Sequence, residues 1–68
     1  MYVFEFTGEA EVYNSPFYPY EAWEKPRILV VKTTEIGESE IDAMRIIARE
    51  ISSIYSDDWQ WLWWKATR

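Results

Sequence analysis

The side chains able to do chemistry in this chain are carboxylates and indoles. Glu9 and Glu11 lie two residues apart, Asp57 and Asp58 are adjacent, and Trp59, Trp61 and Trp63 recur at every second position. Closely spaced carboxylates can share acid–base work, accept hydrogen bonds or attract cations. Indoles offer a large apolar surface with one N–H donor. What is missing narrows the chemistry. The chain has no His and no Cys, so it lacks an imidazole base and a thiol nucleophile, and any metal would meet only oxygen ligands. No Gly-rich phosphate loop or nucleophile motif is present. A chain of 68 residues does not readily enclose a dry pocket around a carboxylate pair. The expectation is a protein without catalysis, metal or cofactor.

Twelve acidic residues against seven basic ones give a net charge of −5. That balance opposes direct binding of nucleic acid, whose phosphates require a positive footprint. It suits solubility or an encounter with a basic partner. No apolar run approaches the roughly 20 residues of a membrane span. The start, Met1-Tyr2-Val3-Phe4-Glu5, lacks the basic and apolar profile of a signal peptide. Together with the absence of Cys, this points to a soluble cytoplasmic protein.

These side chains must be positioned by a single small domain, residues 1–68. Tyr2, Phe4, Phe6, Gly8, Ala10 and Val12 alternate with Val3, Glu5, Thr7, Glu9, Glu11 and Tyr13. The period of two predicts a half-buried strand with an acidic outer face, bulged or bent at Gly8. From Asn14 to Arg27 a long connection carries Pro16, Pro19 and Pro26 together with Phe17, Tyr18, Tyr20 and Trp23. The prolines exclude a regular element over most of it, with room for one turn of helix from Pro19 to Trp23. So aromatic a segment should pack on something.

Ile28 to Glu35 reads as a second strand. Its run Ile28-Leu29-Val30-Val31 is apolar on both faces, which predicts a central strand covered on two sides. Gly37 then breaks the chain. Ser39 followed by Asp42 forms a capping box at the start of a helix, and Glu40 and Asp42 complement the positive end of its dipole. Ile41, Met44, Ile47, Ala48, Ile51, Ile54 and Tyr55 define the buried stripe, with Ile46 off it. Ser56-Asp57-Asp58 ends the helix, and Trp59 to Thr67 forms the last strand.

The fold expected is α+β: a small three-stranded, mostly antiparallel sheet in the order β-β-α-β, with one helix on one face. If Leu62, Trp64 and Ala66 face that helix, Trp59, Trp61 and Trp63 form a ridge on the open side. Three indoles presenting on the order of 150–250 Å² each need a covering. The aromatic connection, a second copy of the chain or a different protein can each supply it. A shift of one residue would instead turn the ridge toward the helix.

The leading expectation is a binding module for a basic or nucleic-acid-binding protein. It would use Trp59, Trp61, Trp63, Phe17, Tyr18, Tyr20, Trp23, Glu9, Glu11, Asp57 and Asp58. Short acidic accessory proteins of phages and mobile elements that inhibit host restriction or CRISPR enzymes are analogous in size and charge. Two alternatives are a homodimer assembled through the Trp ridge and an aromatic platform for single-stranded nucleic acid. The platform would draw on Lys32, Lys65 and Arg68. Glu5, Glu9 and Glu11 on the same sheet oppose it.

Overall fold

A computed structural model describes residues 1–13 and 26–68. The elements run β1 (Tyr2–Val12), β2 (Arg27–Gly37), α1 (Glu40–Tyr55) and β3 (Trp59–Thr67). They form a three-stranded antiparallel sheet in the order β2-β1-β3, giving a small α+β fold. The expected aromatic cover, including the turn from Pro19 to Trp23 and the side chains of Phe17, Tyr18, Tyr20 and Trp23, lies outside the described residues. Among the described residues, no helix is long and apolar enough to cross a membrane.

The alternation of β1 is realised along its whole length. Phe4, Phe6, Ala10 and Val12 are buried beneath the helix, while Val3 and Glu5 are exposed on the open face. β1 is therefore the central strand, and β2 is an edge, contrary to the expectation from its doubly apolar run. Leu29 and Val31 turn toward the helix and pack on the core. Ile28 and Val30 turn to the open face, where they are 52% and 68% exposed. An apolar run need not be covered on both sides when only one layer of helix is available to cover it.

Gly8 also behaves differently from the expectation. β1 pairs with β2 without any register shift, and the irregularity lies instead on β3. Glu9 pairs with Trp63 but Ala10 pairs with Trp61, so Leu62 is the extra residue of a bulge. Gly8 serves close approach. A Cβ there would lie 3.0 Å from the Trp63 carbonyl oxygen and 3.1 Å from both the Trp61 ring and the Trp64 Cβ. The missing side chain lets the large β3 indoles settle over the middle strand.

The helix begins as its sequence dictates. Ser39 is the N-cap, and its Oγ accepts the Asp42 N–H at 3.3 Å. Asp42 does not return a bond to Ser39; its Oδ2 accepts the Glu38 N–H at 3.1 Å. Gly37 admits this first turn closely, because a Cβ there would lie 3.0 Å from the Ala43 nitrogen. Of the expected stripe, Ile47 and Ile51 are buried and Met44 and Tyr55 pack on the core, while Ala43, outside that stripe, completes the buried line. Ile41 and Ile54 are about half exposed, and Ile46 is partly buried. Small Ala43 beside Gly37 draws the helix down at its N-terminal end and rotates the contact line away from Ile41.

Gly8→Ala tests the close approach. One of its three nearest neighbours is backbone that cannot rotate away, so a loss of about 1–3 kcal/mol is expected, read from the urea midpoint. An unchanged midpoint would mean that the indoles do not depend on the missing side chain.

Candidate functional site

The bulge decides where the tryptophans go. Before it, Trp59 and Trp61 face the helix; after it, Trp64 and Ala66 do, and all four pack on the core of Phe6, Ile47 and Ile51. Trp63 alone of the expected ridge stays on the open face, 44% exposed. Trp59 and Trp61 thus share the helix face while Trp63 lies on the other, and the three-membered ridge expected from strict alternation is not formed. Strict alternation fails because one extra residue reverses the side-chain phase of everything after it.

The helix-facing indoles form an aromatic stack. The Phe6 ring lies 5.9 Å from Trp64, nearly parallel at 11°, and 5.5 Å from Trp61. Trp59 meets Trp61 edge-on at 5.2 Å. The Trp59 Nε1–H donates to the Ser52 Oγ at 2.9 Å, tying β3 to the helix. The Trp61 Nε1–H is buried with no acceptor among the described residues, an arrangement that costs about 1–3 kcal/mol.

On the open face the carboxylates are held by neighbours. The Trp63 Nε1–H donates to Glu9 Oε2 at 2.6 Å. Glu11 Oε2 accepts from Gln60 Nε2 and from the Tyr13 hydroxyl, each at 3.4 Å. Partial burial, and then the Glu11 carboxylate beside it, push the Tyr13 phenol above its ordinary value. A row of Lys32, Thr7 and Lys65 crosses the sheet between Glu5 and Glu9, so the acidic character grows toward the Glu11 end.

Asp57 and Asp58 come to that same end. The Tyr13 N–H donates to the Asp58 carbonyl at 2.9 Å, and Glu11 pairs with Gln60 just beyond it. The two aspartates are exposed in the turn between α1 and β3. Glu9, Glu11, Asp57 and Asp58, separated by some 50 positions of sequence, therefore gather at one end of the sheet. The C-terminus of α1 points there too, and its last turn contains no basic residue. The negative end of the helix dipole adds to the carboxylates instead of being neutralised.

The turn itself is strained. Ser56 has φ 57° and ψ −131°, the only non-glycine with positive φ among the described residues. The Asp58 N–H donates to the Tyr55 carbonyl at 3.2 Å, which puts Ser56 at the first central position of a four-residue turn. Its dihedral angles are those of a II′ turn, where glycine is favoured.

Among the described residues, no group of three acidic side chains is arranged to hold a metal ion. Arg45 and Arg49 are exposed on the helix. Arg68, expected to serve a nucleic-acid platform with Lys32 and Lys65, places its guanidinium 4.3 Å from the centre of the Tyr2 ring. The signal that sequence reasoning missed is the bulge, for which Trp63-Trp64 breaking the alternation was the only trace. No family model matches this chain, and no curated protein or solved structure matches it either.

Two substitutions check this geometry. Trp61→Ala removes a member of the stack and should cost about 3 kcal/mol, whereas Trp63→Ala should cost about 1 kcal/mol or less. Equal losses in chemical denaturation would contradict their placement on opposite faces. Ser56→Gly should raise stability by about 1 kcal/mol by relieving the turn; a drop in melting temperature would mean that Ser56 is not strained.

Proposed function

We propose that this chain is a non-catalytic binding module that presents its acidic end to a basic surface on a nucleic-acid-binding protein. In this reading it acts as an inhibitor of a host restriction or CRISPR-type enzyme and occupies the groove that would otherwise hold phosphates. The observation that carries the reading is the convergence of Glu9, Glu11, Asp57 and Asp58 on the end where the helix dipole is also negative. Like charges gathered beside a helix C-terminus work against stability, by about 0.3–1 kcal/mol for each unfavourable dipole contact. A surface that carries such a cost, next to a helix whose last turn holds no basic residue, suits a partner that brings positive charge.

The Trp63–Glu9 hydrogen bond supports the same reading. It fixes one carboxylate and sets a half-exposed indole beside it. An aromatic next to an oriented charge is a common anchor of protein interfaces. The carboxylate at the tip of Trp63 also disfavours the alternative of a base-stacking platform, since phosphates would be repelled there.

Displacement of duplex DNA from purified restriction and CRISPR nucleases, followed by gel mobility, tests the proposal. The expected result is salt-sensitive displacement by the native chain. Glu9→Lys with Glu11→Lys, or Asp57→Lys with Asp58→Lys, should weaken it at least tenfold without loss of helical circular dichroism. Glu38→Lys with Glu40→Lys, at the opposite end of α1, should leave it nearly unchanged. Undiminished displacement by folded variants reversed at the acidic end would sink the acidic-surface reading. Failure to displace DNA from any of the nucleases would remove the inhibitor assignment.

A further inference from the structure

The sheet has two edges, and they are built differently. Each edge strand carries a lysine, Lys65 on β3 and Lys32 on β2, but β3 is also interrupted by its bulge at Leu62, a device that discourages a further strand from pairing. β2 has neither a bulge nor an internal proline over its eleven residues, from Arg27 to Gly37. It is rich in β-branched residues and exposes Ile28 and Val30. An edge of this length, unguarded among the described residues, is a template for strand addition. Beside it, between β2 and α1, runs an apolar groove of about 320 Å³, lined by Leu29, Val31, Ile47, Ile51, Ile54 and Tyr55. A strand added to β2 would lay its alternate side chains along that groove.

We propose that the occupant is a second copy of this chain, joined through antiparallel β2–β2 pairing about a two-fold axis at Val31. The strand order becomes β3-β1-β2-β2-β1-β3, one six-stranded sheet with both helices on the same face. Both guarded edges then lie outside and both unguarded edges inside, so the assembly closes at two copies. A partner supplying only one strand would not use the self-complementarity of this edge.

The charges select the register. With Val31 opposite itself, Lys32 falls opposite Val30 of the second copy, and Arg27 opposite Glu35. Pairing centred on Lys32 would set two lysines face to face, which is unfavourable. The Val31-centred register also places Leu29 opposite Thr33 and turns Leu29 and Val31 of each copy toward the groove of the other. The pairing edge of β2 is the one away from β1, although Val30 and Ile28 lie opposite Glu9 and Glu11; solution mass reads the dimer and DNA displacement reads the acidic end, so the two proposals are tested separately.

Solution mass by light scattering across a concentration series, with helical circular dichroism and tryptophan emission as controls for folding, tests the dimer. The native chain should approach twice its monomer mass. Val30→Lys alters a side chain on the open face and should fold normally. It places lysine opposite Lys32 twice over and should weaken self-association about tenfold. Adding Lys32→Val to Val30→Lys keeps the composition, sets lysine opposite valine again and should restore the dimer. In a chain without cysteine, Val31→Cys should cross-link to its own copy on mild oxidation. A native chain that stays monomeric at high concentration overturns the proposal. So does a dimer that Val30→Lys leaves intact, one that the double substitution fails to restore, or one that Val31→Cys cannot cross-link.

Discussion

The rest of the structure depends on how the tryptophans of β3 lie over the middle of β1. Gly8 and Ala10 leave a low floor at the centre of the sheet, and Trp61 and Trp64 occupy the space above it against Phe6. A protein of this length has few ways to bury enough apolar surface. With no disulfide available, it uses rings that each cover a large area, and the core is aromatic as a consequence. Large rings over one strand require small residues beneath them, and that exchange sets the position of the helix. Ile47 and Ile51 descend onto the same stack, while Ala43 meets the end of β2 at Gly37.

The bulge at Leu62 follows from the same requirement. Strict alternation along β3 would place either Trp59 and Trp61 or Trp64 and Ala66 under the helix, but not both pairs. One extra residue brings both pairs inward. It leaves Trp63 on the open face, where its N–H meets Glu9. The packing of the core thus shapes the opposite surface. The bulge also blunts the β3 edge, so the two edges of the sheet become unlike each other.

At the acidic end, local and tertiary effects pull in different directions. Glu40 and Asp42 at the start of α1 are favoured by the dipole, as their position near Ser39 indicates. Asp57 and Asp58 follow the other end, where acids are disfavoured. They sit in a turn that already holds Ser56 at positive φ. Strain and unfavourable charge coincide at the place where β1, α1 and β3 come together.

Much of this architecture was legible in the residues. The alternation of β1, the Ser39 cap, the end of the helix at Tyr55 and the strand from Trp59 each rest on local patterns of period and capping, which act within a few residues. The α+β class and the absence of His and Cys chemistry follow from composition and order. Only the tertiary structure decided that β1 is central, that Ala43 instead of Ile41 meets the sheet, and that the tryptophan row divides at a bulge. It also decided that Glu11 and Asp58 are neighbours. Each of these depends on contacts between segments distant in sequence, where the volume of one side chain must match the space left by another. Periodicity records which face a residue prefers, but not how many residues the facing strand uses to reach it.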